Sequence, residues 1–250
     1  MKCLVVADLH YSLPQFDWVS LAAKKFDLAI IAGDLLDIAS TVEIETQILV
    51  VLKYLRRIQP KEQLLVSSGN HDTNTRNQAD EGVASWLLKA RESGALVDGD
   101  NLQSGDILFT ICPWWDGPES RAEVAAQLKR DSAKRSGKWI WIYHSPPQGA
   151  QTSWTGKQHF GDEFLGGWIE EYRPDIVLCG HVHQAPFRNG GSWVEKIGDT
   201  VVFNAGRQIG SPPAFIALDT DANTACWFSQ MGNELVHLDR PEEKIDLVGG

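Results

Sequence analysis

The chain has 250 residues, of which 43% are hydrophobic and 22% are charged. This composition is that of a folded globular protein, which excludes wholesale disorder, and the length fits one large domain or two small ones. Acidic residues number 33 and basic residues 23, so the formal net charge is −10. A long nucleic acid needs a basic surface, so this balance argues against such a partner. A small phosphorylated ligand stays open, because local cations or metals can outweigh the net charge.

The N-terminal residues and the cysteines indicate a compartment. The apolar run at 1–7 is short and leads directly into Asp8 and His10, so it is neither a signal peptide nor a membrane span. No later apolar run reaches about 18 residues, so no membrane partner is expected. The four cysteines are far apart and each lies in an apolar run, which is typical of buried free thiols. We therefore expect a cytoplasmic protein, and its oligomeric state is left open.

Short apolar runs, each followed by a polar cluster with a glycine or another turn residue, form the main pattern of the chain. Such continuous runs are typical of strands buried on both faces. They lie at 4–7, 28–32, 64–67, 139–143 and 176–179. Helical spacing between them predicts helices at 42–57, 84–91, 121–135 and 163–172. Thr41 is expected to cap the first of these helices.

The pattern changes after residue 183, where strands are joined by turns with little helix. Further strands are predicted at 194–197, 201–203, 215–218 and 226–228, and 108–111 is expected to join them. No linker, low-complexity segment or internal repeat interrupts the chain, so a single domain over 1–250 is expected. Alternation of strands and helices predicts an α/β fold of two packed mixed β-sheets flanked by helices, a four-layer αββα sandwich.

The polar clusters carry residues that bind metals. Ligands bind at the carboxyl ends of strands in α/β sheets, so clusters distant in sequence are expected to converge. Members of a pair two residues apart point to the same side of an extended backbone, and Asp8/His10 and His181/His183 are such pairs. Nitrogen and carboxylate ligands without thiolate suit Mn, Fe, Co or Zn. The number of candidate ligands exceeds what one structural zinc site needs and favours two ions that share a carboxylate. The candidates are Asp8, His10, Asp34, Asn70, His144, His181 and His183.

The order of these blocks carries a resemblance to a known family. D-x-H at 8–10, G-D at 33–34, G-N-H-D at 69–72, His144 and G-H-x-H at 180–183 follow one another. Together they resemble the calcineurin-like metallophosphoesterase superfamily, which implies a two-sheet sandwich with two metal ions. One ion would be held by Asp8, His10 and His183. The other would be held by Asn70, His144 and His181, and Asp34 would bridge both.

The same resemblance implies a reaction. A hydroxide bridging the two ions would attack phosphorus in line, so the chain would be a metal-dependent phosphoric ester hydrolase. His71 would not bind metal but would act as an acid or hydrogen-bond donor at the leaving-group oxygen. Asp72 would orient His71 or support it electrostatically.

Three residues outside the motif blocks are candidates for substrate binding, each with a structural alternative. Arg207 ends an Asn-Ala-Gly-Arg turn, where related proteins often carry Asn-Pro-Gly; it would clamp a phosphate or be a surface arginine. His159 lies in a polar stretch at 148–161, where it would overhang the site or be solvated. Trp115 would stack on a substrate ring or pack in the core.

The substrate class stays open at this point. Two metal ions can serve phosphodiesters, phosphomonoesters including phosphoproteins, and pyrophosphates. The G-N-H-D block ends in Asp rather than Glu, which disfavours a protein phosphatase, and the negative charge disfavours a processive nuclease. A small phosphodiester is therefore favoured. A non-catalytic scaffold on the same fold is the remaining alternative, and the complete ligand set together with His71 argues against it.

Overall fold

The fold is given by a computed structural model that describes residues 1–247. The helices in this part of the chain are α1 (Leu13–Ala22), α2 (Ile44–Arg57), α3 (Leu87–Glu92), α4 (Pro118–Ser132) and α5 (Leu165–Tyr172). The strands are β1 (Lys2–Val6), β2 (Leu28–Ala32), β3 (Gln63–Ser67), β4 (Thr75–Arg76), β5 (Gly82–Val83), β6 (Leu96–Val97), β7 (Asn101–Ser104), β8 (Ile107–Ile111), β9 (Trp139–Ile142), β10 (Ile176–Cys179), β11 (Val194–Ile197), β12 (Thr200–Asn204), β13 (Phe215–Asp219), β14 (Thr224–Ser229), β15 (Gly232–His237) and β16 (Arg240–Asp246).

Two mixed sheets contain nearly all of these strands. The larger has the order β16-β15-β14-β13-β1-β2-β3-β6, the smaller β11-β12-β10-β9-β8-β7, and β4 pairs with β5 in a separate hairpin. In the larger sheet β1, β2, β3 and β6 run parallel, and β13 joins β1 antiparallel. In the smaller sheet β8, β9, β10 and β12 run parallel between antiparallel edge strands. The prediction of two mixed sheets is confirmed.

Alternate residues along the central strands face two different cores. On β1, Cys3 and Val5 pack between the sheets, together with residues of the smaller sheet such as Ile140. Leu4 and Val6 face the other way and pack with residues of α1, α2 and α3. The outer face of the smaller sheet is covered by α4 and α5. The central strands of each sheet are therefore buried on both faces, which explains the continuous apolar runs and gives the expected αββα layers.

Helix α1 and the start of α2 differ from the sequence expectation. The buried face of α1 includes Gln15 and Ser20, so it lacks the apolar periodicity by which helices are recognised. Gln15 is buried because its side-chain amide donates to the carbonyl oxygens of Gln208 and Gly210, at 2.9 and 2.6 Å. The N-cap of α2 is Glu43, with no side-chain capping hydrogen bond, so the expected Thr41 cap is wrong.

The cysteines are free thiols, as expected, but they are not equally buried. Cys3, Cys112 and Cys179 are buried, whereas Cys226 on β14 is only half-buried. Within residues 1–247, none of the helices combines the length and the apolar character needed to cross a bilayer.

A largely buried carboxyl just after β6 gives the fold a pH dependence. The Asp98 carboxylate accepts a hydrogen bond from the Ser68 backbone N–H at 2.8 Å, and burial raises the pKa of Asp98 to about 7. The unfolded value is about 3.9, so folding favours the protonated form, and this contribution is lost as the pH rises through about 7.

We therefore expect the free energy of unfolding of the wild type to fall between pH 5 and pH 8 relative to that of Asp98→Asn. The expected difference is about 1–2 kcal/mol, because one pKa unit corresponds to about 1.4 kcal/mol and partial solvent exposure screens the charge. Asparagine keeps the acceptor for Ser68 but does not ionise. Urea titrations of chelator-treated protein measure this, and the same pH dependence in both proteins would contradict it.

Candidate metal centre

The candidate ligands all follow carboxyl ends of parallel strands. In the larger sheet, Asp8 and His10 follow β1, Asp34 follows β2 and Asn70 follows β3. In the smaller sheet, His144 follows β9, and His181 and His183 follow β10. The two sheets thus bring their ligands to one edge of the sandwich, as the strand-end pattern predicted.

A first cluster consists of Asp8, His10, Asp34 and His183, whose ligand atoms all lie within 4.8 Å of one another. Nε2 of His10 lies 2.9 Å from Nε2 of His183. Oδ2 of Asp34 lies 3.6 Å from His10 Nε2, and Oδ1 of Asp8 lies 3.4 Å from His183 Nε2. Imidazole nitrogens and carboxylate oxygens that converge in this way form a donor set suited to a divalent cation.

A second cluster consists of Asp34, His144 and His181. Oδ2 of Asp34 lies 3.2 Å from Nε2 of His144. Asn70 adjoins this cluster, with its Oδ1 2.9 Å from Nδ1 of His181. Asp34 belongs to both clusters, which is the position that the family resemblance implies for a bridging carboxylate.

Unpartnered buried atoms indicate that the clusters fit metal ions. Nδ1 of His144 lies 2.7 Å from the carbonyl oxygen of Ala32, to which it donates a hydrogen bond. This bond orients the ring and presents Nε2 as the ligand atom. Nε2 of His144 and Oδ2 of Asp8 are both buried without a hydrogen-bond partner. Such atoms are costly unless something satisfies them, and a cation at each cluster would do so.

The backbone that carries the ligands is strained. Asp8, His10, Asp34 and His181 have φ angles of 54°, 41°, 53° and 65°. This left-handed region is uncommon for residues other than glycine, and such strain concentrates at functional sites. The extended backbone assumed from the two-residue spacing is therefore wrong. Asp8 and His10 meet at the first cluster through a turn, and the turn at His181 directs its ring to the second cluster and that of His183 to the first.

Two glycines make room for His144. A Cβ atom at Gly69 would lie 2.6 Å from Nε2 of His144, and one at Gly33 would lie 2.6 Å from its Cγ. Gly33 also has a φ of 89°, which glycine adopts without strain. The glycines before Asp34 and Asn70 therefore allow the close approach of a histidine from the other sheet.

Burial and neighbouring charges set the protonation of the ligands. Burial lowers the pKa of His10 and of His181 to about 4, so both rings are neutral, as metal binding requires. Burial also opposes the charged form of His144, but the Asp34 carboxylate outweighs burial and raises the pKa to about 9, so an ion that binds Nε2 displaces a proton from this ring. Despite burial, the surrounding histidines hold the pKa values of Asp8 and Asp34 below their usual range. The carboxylates are therefore ionised at neutral pH.

His71 lies at the edge of the first cluster, with its ring centroid 4.4 Å from that of His10. The Ile38 backbone N–H donates to its Nδ1 at 3.2 Å, and Asp37 Oδ1 lies 3.8 Å from the same nitrogen. Because Nδ1 accepts a hydrogen bond, the neutral ring carries its proton on Nε2. Sequence reasoning missed Asp37. Its position three residues after Asp34, the last residue of the G-D block, was an available signal.

The Asp72 carboxylate hydrogen-bonds to the backbone rather than to His71. It accepts from the N–H groups of Leu35, Leu36 and Gly69, at 2.9, 2.9 and 2.8 Å. Asp72 therefore ties the turn after β2 to the turn after β3. In this structure, the hydrogen bond that orients the His71 ring comes from the Ile38 N–H, and the nearby carboxylate is that of Asp37 rather than Asp72.

Arg207 is brought to the metal centre and His159 is not. The backbone N–H of Arg207 donates to the His183 carbonyl oxygen at 3.1 Å. The charge of the Arg207 side chain adds to burial in lowering the pKa of His10. Nδ1 of His159 instead lies 2.9 Å from the carbonyl oxygen of Ala150, and its ring packs on Trp154. His159 thus ties its own loop together.

Trp115 lies beside the second cluster and is half-buried. Its Nε1 donates to the Tyr143 hydroxyl at 2.6 Å and to Asp162 Oδ2 at 2.9 Å. It also lines a cavity that His144 and His181 line. Trp115 therefore packs against its neighbours, as the structural alternative expected, and it also faces a cavity at the metal centre.

Comparisons with known proteins agree with this geometry. A sequence profile of the calcineurin-like phosphoesterase family matches residues 1–185, which include every candidate ligand. The chain therefore belongs to the calcineurin-like phosphoesterase family. A search of curated proteins found no match.

Among solved structures, the protein TT1561 of Thermus thermophilus is similar at 14% identity and a TM-score of 0.58, over 98% of this chain and 97% of that one. A 5'-nucleotidase precursor from the same organism is similar at 13% identity and a TM-score of 0.51, over 92% of this chain and 51% of that one. At these identities the similarity shows the shared fold alone.

Proposed function

We propose that this chain is a dinuclear-metal-dependent phosphoesterase that hydrolyses a small phosphodiester. The observation that carries the proposal is the position of Asp34, whose Oδ2 lies 3.6 Å from His10 Nε2 and 3.2 Å from His144 Nε2. One carboxylate between two histidine clusters is suited to a pair of Mn, Fe, Zn or Co ions. When bound, such ions lower the pKa of a water and neutralise charge on phosphoryl oxygens.

The other residues of the centre have defined tasks in this reaction. Arg207 binds a phosphoryl oxygen and so positions phosphorus against the ligand clusters. Water supplies the oxygen that bonds to phosphorus as the bond to the leaving group breaks. The Nε2–H of His71 donates a hydrogen bond to the departing oxygen and stabilises its developing charge, and the proton that the water gives up neutralises that oxygen. The Ile38 N–H holds the His71 ring in the orientation that this hydrogen bond needs.

Two observations support an enzyme rather than a scaffold. The ligand-bearing turns keep strained φ angles at Asp8, His10, Asp34 and His181. They also keep buried atoms without partners, Asp8 Oδ2 and His144 Nε2. Both features destabilise the fold, and a scaffold that binds partners on its surface has no need of either. The free cysteines fit a reducing compartment, so we place the enzyme in the cytoplasm.

The test is hydrolysis of bis-p-nitrophenyl phosphate, p-nitrophenyl phosphate and a pyrophosphate by chelator-treated protein reloaded with each metal in turn. We expect two ions per chain by elemental analysis and the highest kcat/KM for the diester. A strong preference for the monoester or the pyrophosphate would contradict the diester assignment. Two bound ions without hydrolysis of any substrate would favour the scaffold.

A further inference from the structure

An aromatic cavity of about 270 Å³ opens on one side of the metal centre. Its wall includes His144 and His181 of the second cluster, whereas His10, His71 and His183, all within the described chain, do not line it. The aromatic side chains that line it are Trp114, Trp115, Tyr143 and Phe160. The cavity is therefore continuous with the metal centre but lies on the side of the second cluster.

Two of these rings lie against a metal-ligand candidate. The Phe160 ring stacks on His181 with centroids 5.2 Å apart and an interplanar angle of 21°. The Trp114 ring lies 5.5 Å from His181 and 5.9 Å from His144. Phe160 is 55% exposed, which is unusual for a phenylalanine beside a buried polar centre. Together the two rings offer apolar surface that a flat ligand can cover.

Three polar side chains that line the cavity, those of Trp115, Tyr143 and Asp116, already have partners. Trp115 Nε1 and the Tyr143 hydroxyl both donate to Asp162, and Asp116 accepts from the Gly82 N–H at 2.9 Å. Among the described residues that line the cavity there is no lysine or arginine, so it is not built for a second phosphate. Pockets for drug-sized ligands measure roughly 300–1,000 Å³, so this smaller space suits one ring system.

We infer that this cavity binds a flat aromatic substituent of the substrate, the one that stays on phosphorus after hydrolysis. The inference rests on the proposed diesterase function. A monoester has a single organic substituent, the leaving group, which belongs beside His71 at the first cluster. A group in a cavity beside the second cluster is therefore the other ester substituent of a diester. The substrate class is an aryl or nucleobase-bearing phosphodiester, and the product is the monoester that keeps the ring.

The test compares two diesters with the same leaving group, phenyl p-nitrophenyl phosphate and ethyl p-nitrophenyl phosphate. We expect kcat/KM of the wild type to be about tenfold or more higher for the phenyl ester, mostly through a lower KM. In Trp114→Leu/Phe160→Leu, which keeps apolar bulk without rings, the ratio is expected to approach one, with two ions still bound. The matched control is Phe228→Leu, because Phe228 lies on β14 of the larger sheet and does not line the cavity, so its ratio stays that of the wild type.

Calorimetric binding of phenylphosphonate and methylphosphonate to the metal-loaded protein separates the cavity from the reaction. We expect phenylphosphonate to bind about tenfold more tightly, and the double variant to lose this difference. Equal affinities together with equal hydrolysis of both esters would overturn the aromatic cavity while leaving the diesterase intact. Tighter binding of phenylphosphonate without hydrolysis of either ester would overturn the diesterase, and with it the retained-substituent assignment.

Discussion

Asp34→Asn is expected to lower the metal content of the protein and to reduce kcat/KM for bis-p-nitrophenyl phosphate by about 10³-fold or more. Asp34 Oδ2 lies within 3.6 Å of a histidine nitrogen in each cluster, so a neutral amide weakens both ion sites at once. Loss of an outer partner of a metal ligand costs about 10–100-fold, and loss of a shared ligand costs more. Elemental analysis and initial rates measure the two effects.

The design of this variant separates metal binding from folding. Asp34 Oδ1 accepts a hydrogen bond from the backbone N–H of His71 at 2.9 Å, and asparagine keeps an oxygen that can accept the same bond. The matched control is Asp199→Asn, which removes an exposed carboxylate between β11 and β12 and is expected to leave metal content and rate unchanged. A variant at Asp34 that keeps two ions and the wild-type rate would refute the shared position.

His71→Ala is expected to keep its metal ions and to lose about 10²–10³-fold in kcat, the range lost when a hydrogen-bond donor to a developing oxyanion is removed. The ring lies against His10, but its Nδ1 accepts from the Ile38 N–H, which leaves Nε2–H to donate to the leaving-group oxygen. The loss should be larger for diphenyl phosphate than for bis-p-nitrophenyl phosphate. Phenolate needs a hydrogen bond more than p-nitrophenolate does, because the nitro group stabilises the negative charge.

This dependence on the leaving group distinguishes hydrogen-bond donation to the departing oxygen from a structural effect, which would lower both rates equally. His237→Ala serves as a matched control, because His237 lies on β15, three strands away from β1 in the larger sheet. Full activity in a His71→Ala protein with both ions bound would remove His71 from the reaction.

A helix and a strand that the sequence did not predict, α1 and β16, both depend on contacts with distant parts of the chain. Helix α1 buries Gln15 only because the chain near Gln208 supplies acceptors for its amide. Strand β16 is almost entirely polar and exposed, and its place in the sheet comes from pairing with β15. The residue pattern of a segment does not show such partners, because apolar periodicity indicates only which face of that segment is buried.

The metal centre was largely readable because its signals are local. A buried strand, a glycine and a ligand residue follow one another within a few positions, as in Gly33-Asp34 and in 69–72. Parallel strands in α/β sheets bring their carboxyl ends to one edge, so these blocks converge whatever their separation. The sequence alone therefore determined the αββα fold and the set of residues from which the clusters are formed.

The family resemblance implied how that set is divided, and only the tertiary structure showed the geometry behind the division and the contacts that support it. The left-handed turn at His181, with a φ of 65°, directs its ring to one cluster while His183 reaches the other. Asp72 turned out to hold two backbone turns together, and Asp37 to approach His71. Trp114 and Phe160 face the same cavity from different loops. These contacts depend on side-chain directions and on the packing of two sheets, which residue spacing along the chain does not specify.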